Sequence, residues 1–415
     1  MVEKGLLCAV GIRCTHRGNE RIGAHATQEG GGRMNSRQRL LDMARGQETD
    51  RVPCSPRMWK FHRAYYGGHN PDIVLRSATE FGYDPIYYTG AAVRNMLSCT
   101  VPSVGDLPHG VTCEATVDRG NECDTVHRCF HTPAGSVSDV WECPHADSEF
   151  GLLPTPVPRE HLVKKPADVA CLEHLAGRLC EDVLRRFSEV RSSFGVRALA
   201  VPYVRSPFND LSAVLSVSDS LLLSHDDPAF LQAVLSCLQP ACLADIDAHL
   251  SAGAEVIFIS GFHVSLSVGW SPANVEAFFL PLIREQVEKV HAAGALYHYY
   301  DDGRCMDVLS MLLDAGVDIL STCTPPPAGD MDLRKARAVV GDRMCLMGNI
   351  DIEHVLRCGA PRDVDAAVRD AVEAADGGPF ILSTSDGILE QTPLANVRAY
   401  FSAARRHGCC FGARP

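Results

Sequence analysis

The sequence contains no stretch of about eighteen apolar residues, the length a membrane-spanning helix needs, so nothing in it calls for a bilayer. It is also short of positive charge. Its 39 Lys and Arg against 51 Asp and Glu give a formal net charge of -12, which disfavours nucleic acid or an anionic membrane surface as the main partner. No Cys-x-x-Cys pair occurs among the 18 cysteines. Structural zinc sites usually show such a pair, so Cys113, Cys123, Cys129 and Cys143, with His127, His131 and His145 nearby, read as reduced thiols rather than a metal site. Near the front, GLLCAVGI is too short for a signal core and lacks a cleavage pattern. Without a secretory signal, reduced thiols and a cytoplasmic location are the expectation.

What is present points to one large fold. A hydrophobic fraction of 46% with 22% charged residues suits a globular protein with a sizeable core, and 415 residues fit a single α/β barrel. Residues 1–33 are Gly-rich and without a sustained period; they read as a disordered extension, with Met34 the expected beginning of the fold. From Ala292 to Asp351 strand patterns alternate with amphipathic helical ones: ALYHYY, then CMDVLSMLLDAG, then VDILST, DMDLRKARAVVG and RMCLMGNID. Such alternation requires a parallel sheet, because parallel neighbours need a crossover. Polar residues gather where these strands end: Tyr300, Asp301 and Asp302, then Ser321 and Thr322, then Gly348, Asn349 and Asp351. The carboxyl-terminal rim is where barrels of this class place their chemistry. Residues 101–165, with short β-type runs separated by turn residues, read as a β-rich insert. Residues 50–67 (DRVPCSPRMWKFHRAYYG) read as a strand followed by a basic, aromatic loop, and residues 81–90 (FGYDPIYYTG) as a strand with Asp84 at its end.

The series DDG, a Pro-rich turn and LMGNID resembles the uroporphyrinogen decarboxylase superfamily. The likeness extends to GAEVIFIS, to FILSTSDGILEQTP and to the opening MNSRQRLLDMARGQETDRVP. It implies a (β/α)8 TIM barrel over residues 34–408. That superfamily includes both the tetrapyrrole decarboxylases and methyltransferases that move methyl groups between corrinoid proteins and small thiols. HTPAGSVSDV within the insert is similar to the methyltransferase-like branch.

The resemblance to the decarboxylases implies Asp84 as a catalytic carboxylate, Arg57 and Arg63 as carboxylate-gripping guanidiniums, and Ser260 as a substrate contact. His263 and Asn349 lie on the same rim and join the substrate-binding candidates. Where the decarboxylases place a tyrosine, this chain has Ala213. The methyltransferase branch binds zinc through a His-x-Cys-Gly turn and a later Cys; the matching positions are Tyr300, Asp302, Gly303 and Asp386. Both thiolates have become carboxylates, so a soft zinc site has been exchanged for hard oxygen donors. If a divalent metal binds, His298, Asp302 and Asp386 are its candidates, since 298, 300 and 302 alternate onto one face. Asp84, Tyr300, Asp302 and Asp386 are expected to converge as catalytic residues on one pocket. Three functions stay open: a methyltransferase-like enzyme acting on a small methylated or acidic metabolite with a corrinoid protein as partner, uroporphyrinogen decarboxylation in porphyrin biosynthesis, and a non-catalytic binding protein. The resemblance also implies a homodimer.

Overall fold

The computed structural model describes residues 34–409 except 90–96, 98, 100, 102–106, 146–154 and 177–180. The extension expected over residues 1–33 lies outside the described residues. Seven parallel strands form the main sheet: β1 (Ile86–Thr89), β6 (Leu199–Val204), β7 (Val256–Ser260), β8 (Leu296–Asp301), β9 (Ile319–Thr322), β10 (Cys345–Ile350) and β11 (Phe380–Thr384). Between β1 and β6 the chain makes a separate antiparallel sheet of β2 (Thr112–Asp118), β3 (Cys123–Thr132), β4 (Gly135–Pro144) and β5 (Val157–Glu160). In the parallel sheet the strand order follows the chain, β1-β6-β7-β8-β9-β10-β11. The sequence leads one to expect eight strands; seven are regular among the described residues. Pro53 to Ser55 run beside β11 as a single bridge, with Ser55 N donating to Leu382 O and Leu382 N to Pro53 O. Cys54 O in turn accepts from Asp84 N, just ahead of β1.

Most strands of this sheet are buried along nearly their whole length, as VIFIS in β7 and FILST in β11 illustrate, because helices cover one face and the sheet's own side chains fill the other. One of those helices, Pro228–Ser251, is long and apolar enough to span a membrane by composition, although no uninterrupted apolar run marks it. Here one of its faces packs into the fold. Phe230, Leu231, Val234, Leu235 and Leu238 are buried, and Gln239 at its centre hydrogen-bonds to Leu282 O, Glu285 and Gln286.

Helix α1 (Ser36–Ala44) stoppers the amino-terminal edge of the sheet. Asn35 caps it, accepting from Gln38 N. Leu40, Leu41 and Met43 pack against Leu199, Val256, Leu296, Ile319 and Cys345, which open their strands or nearly so. Arg39 on the same helix bonds Asp84 at 2.6 Å and Asp50, while Arg51 bonds Asp84 at 2.8 Å and Cys54 N donates to it. Asp84 is therefore a buried anchor at the end opposite the rim. The reading that placed it at a strand's carboxyl end fails because β1 begins two residues after it, past Pro85.

Two helices then form a hairpin where a loop is expected: α2 (Trp59–Tyr66) and α3 (Pro71–Phe81). No breaker separates Met58 from Gly67, whose φ of 76° ends α2 in a left-handed turn. Asn70 caps α3 by accepting from Ile73 N, and Pro71 occupies its first turn. In the antiparallel sheet, Arg128 and Asp139 form a fully buried ion pair that Trp141 Nε1 joins at 2.9 Å. His127, His131 and His145 pair with Asp118, Glu114 and Asp124, and among the described residues no three His, Cys, Asp or Glu groups gather to hold a metal ion.

Replacing Asp84 by Ala leaves Arg39 and Arg51 without their buried counter-ion. The expected cost is about 3–5 kcal/mol, that of breaking a buried ion pair. Denaturant unfolding measures it, and an unchanged midpoint would remove Asp84 from the frame of the fold.

Candidate active site

A cavity of about 550 Å³ opens at the carboxyl-terminal side of the strands. Its walls include Arg57, Lys60, Arg63, Tyr88, Tyr203, Phe258, Ser260, Tyr300, Asp302 and Asp386. Arg57 is fixed through its backbone, since its N–H donates to Thr384 Oγ1 and its carbonyl accepts from Ile388 N. Its guanidinium lies 4.2 Å from the centre of the Tyr300 ring, 5.0 Å from that of Tyr88 and 5.1 Å from that of Phe258. Such stacking holds a cation in an apolar wall at little loss of attraction.

Two carboxylates face this cation. Asp386 sits 3.5 Å from Arg57 and 3.3 Å from Lys60. The Tyr300 hydroxyl lies between it and Asp302, 3.3 Å from Asp386 Oδ1 and 3.1 Å from Asp302 Oδ2. The hydroxyl has one proton, so it donates to one carboxylate at a time. Burial pushes the Tyr300 phenol well above its usual range, with Asp386 adding to the effect. Burial and the charge of Asp386 raise Asp302. Burial would raise Asp386 too, but Arg57 and Lys60 hold it below the usual carboxylate range. The pair is thus split: Asp386 keeps its charge and Asp302 is the readier to carry a proton, a division of labour that acid–base chemistry uses. For Arg57, burial opposes its charge, but Tyr300, Tyr88 and Asp386 raise its pKa overall.

The loop after β8 is rigidly held. Gly303 N donates to Asp301 Oδ1 and Arg304 N to Ser267 Oγ, both at 2.8 Å. A Cβ on Gly303 would fall 2.3 Å from Ser265 Oγ, so glycine is required in the DDG turn.

Of the residues read from the sequence, the structure brings Arg57, Arg63, Ser260, Tyr300, Asp302 and Asp386 to this cavity. Asp84 is at the opposite end. His263 sits on the short turn Phe262–Val264, and its neighbour Phe262 lines the cavity in its place. Asn349, on β10, does not line it either. Ala213, at the tyrosine position, packs with Val126 and Trp141 of the antiparallel sheet. His298 is deeper in the sheet, bonded to Ser321 Oγ at 2.7 Å and edge-on to Phe258; burial, with Arg57 adding, lowers its pKa to about 3. Alternation does put 298 and 302 on one side, but four residues of strand separate them by roughly 13 Å, too far to share an ion. A divalent metal does not fit this donor set, because Arg57 and Lys60 already occupy the positive positions beside Asp386.

Lys60, Tyr88, Tyr203 and Phe258 were not among the sequence candidates. Once α2 is known as a helix, Lys60 and Arg63 stand one turn apart on one face. The buried hydroxyls of Tyr88 and Ser260 and the buried Nε of Arg63 make no hydrogen bond of good geometry, although Tyr88 lies close to Arg57 and Ser260 close to Tyr203. Three unsatisfied polar atoms on one cavity are the mark of a surface built to receive a polar ligand.

A parallel α/β sheet with a charged, aromatic cavity at its carboxyl-terminal rim defines the general class. The family model of uroporphyrinogen decarboxylase (URO-D) matches residues 147–407, more than half of the chain, and the protein belongs to that family. A methylated-thiol–coenzyme M methyltransferase of Methanosarcina mazei is 23% identical over 54% of this chain and 57% of its own length. A uroporphyrinogen decarboxylase of Gloeobacter violaceus is 28% identical over 44% and 50%. A methylcobamide:CoM methyltransferase of Methanosarcina barkeri is 27% identical over 53% and 62%. The chain thus spans half to three fifths of these relatives. Among solved structures, a methyltransferase from Methanosarcina mazei superposes with a TM-score of 0.62 at 18% identity, covering 90% of this chain and 99% of that one, and so shares the fold.

Asp301, beside the cavity loop, gives a pH signature of its own. Burial raises its carboxyl to about 7. The folded state therefore binds more protons than the unfolded state between about pH 4 and 7, so unfolding free energy should fall as pH rises through that window. In Asp301→Asn this fall should be shallower, as read from urea titrations at several pH values; identical slopes would contradict the assignment.

Proposed function

We propose that this protein is a methyltransferase-like enzyme acting on a small metabolite that carries an acidic group, with a corrinoid-bearing protein as the methyl donor or acceptor. The observation that carries this reading is the chain Asp302–Tyr300–Asp386 over the stacked Arg57. A thiol, amine or hydroxyl loses a proton when it is methylated, and Asp302 with Tyr300 is where that proton can go. The substrate's acidic group is held by the Arg57, Lys60 and Arg63 side of the cavity, leaving its nucleophile toward Asp302. The two methyltransferase relatives support the reaction class by name. The carboxylates that stand at the thiolate positions, with their own cations beside them, are the reason no zinc-activated thiol enters this reading.

Uroporphyrinogen decarboxylation is the second reading, favoured by the decarboxylase relatives and by Arg57, Arg63 and Ser260 sharing the cavity. Against it, Asp84 is committed to Arg39 and Arg51 at the far end of the sheet.

The test is demethylation of methylcobalamin, followed by its visible absorbance, with a panel of small thiols, amines and carboxylic acids as acceptors. Asp302→Asn, which removes the proton acceptor, and Asp386→Asn, which removes the charge that keeps it ready, should each lower the rate by about 10²–10⁴-fold, the usual worth of general acid–base groups, while circular dichroism stays that of the parent. Turnover of uroporphyrinogen with none of methylcobalamin would replace the first reading by the second. A wild-type rate in Asp386→Asn would sink the role given to the carboxylate pair.

A further inference from the structure

On the side of the cavity away from Asp302, the hairpin of α2 and α3 presents two imidazoles. His62 and His69 both line the cavity, and their Nδ1 atoms are 2.9 Å apart. His62 Nε2 is 2.9 Å from Ser77 Oγ, and both His62 and Ser77 are wholly buried. The His69 ring lies edge to edge with that of His62 and also neighbours that of Tyr87, with centres 5.2 Å away in each case. The Ser77 hydroxyl lies close to that of Tyr66 without a hydrogen bond of good geometry, and the Tyr66 hydroxyl donates to Glu80 Oε2 at 2.5 Å on the exposed face of α3. The five side chains run from the cavity to water, hydrogen-bonded at every step except that from Ser77 to Tyr66.

We propose that this line is a proton relay, with His69 Nε2 as its terminus in the cavity and Glu80 as its outlet to solvent. The hydrogens balance along it. Two Nδ1 atoms in contact share one hydrogen, so one ring donates and the other accepts. In the outward arrangement His69 Nδ1–H donates to His62, His62 Nε2–H to Ser77 and the Tyr66 hydroxyl to Glu80, and the Ser77 hydroxyl turns toward that of Tyr66 to close the one remaining step. That leaves His69 Nε2 with a free lone pair. A proton taken up there moves each hydrogen one place along, and Glu80 releases one proton to water. The opposite transfer restores the starting arrangement, and no ring holds a lasting charge.

Burial, and the charge of each ring's neighbour, His69 for His62 and Arg63 for His69, push the two imidazoles down to about 3 and 4, so both are neutral near pH 7, as a relay of tautomers requires. Other groups bearing on the hairpin are Tyr83 beside Ser77, Tyr87 against His69, and Arg76, whose guanidinium lies 5.2 Å from the centre of the Tyr66 ring. The relay rests on the acid–base reading of the cavity only for its use, not for its existence. His69 exchanges the proton with the ligand, and His62 positions it.

The experiment has two arms on the full chain. In the first, histidine ring nitrogens are labelled with ¹⁵N, and exchange of the ring N–H protons with water is measured by NMR in the parent, Glu80→Gln and Tyr66→Phe. Both variants should slow exchange at His62 at least about tenfold with ring shifts otherwise preserved, because slow proton passage is the limit that general acid–base groups of this worth remove. Unchanged exchange in both variants would overturn the relay. In the second arm, His69→Ala should lose methylcobalamin demethylation and regain part of it with added imidazole, whereas Asp386→Asn should not respond to imidazole. Rescue failing in His69→Ala overturns the terminus assigned to His69. Glu80-dependent exchange alongside a wild-type rate in Asp386→Asn would leave the relay standing and overturn the function proposed for the cavity.

Discussion

Arg57 is the contact on which the site turns. Its guanidinium is laid against Tyr300 from β8, Tyr88 from β1 and Phe258 from β7, and it pairs with Asp386 just past β11. Four distant parts of the chain therefore meet at one cation. Without that charge, Asp302 and Asp386 would face each other across a phenol with only Lys60 to offset their repulsion. The stacked geometry also needs the planar fork of arginine, which an ammonium at the same place would not reproduce.

How two carboxylates can share this rim follows from the same arrangement. Thiolates gathered at a rim call for a soft metal to neutralise them; carboxylates next to a guanidinium and an ammonium do not. The positive charge is supplied by the chain itself, from the segment that leads into α2. Tyr300 between the two carboxylates offers one of them its proton.

Much of this was legible in the sequence, and what was not has identifiable causes. The alternation from Ala292 onward marks the parallel strands because their apolar runs are uninterrupted and their crossovers amphipathic. Tyr300 and Asp302 stand out because they close a strand, whereas Arg57 and Asp386 are found only through the resemblance to the decarboxylase superfamily. Asp84 misleads because aromatic residues flank it on both sides, so the pattern FGYDPIYYTG does not show that the strand begins only after Pro85. His298 misleads for a different reason: alternation reports the face of a strand and is silent on depth along it. The segment around Lys60 hides a helix among aromatics that suit a strand equally well, and the imidazoles of His62 and His69 come together only through the turn that reverses the chain between α2 and α3.

The seating of α1 against the strand origins has a consequence for traffic. With α1 packed across the strand origins, the cavity lies at the end of the strands away from that helix. What reaches Arg57 and Asp386 does so past Lys60 and Arg63, and the nine residues of α1 keep the other end of the molecule for packing alone.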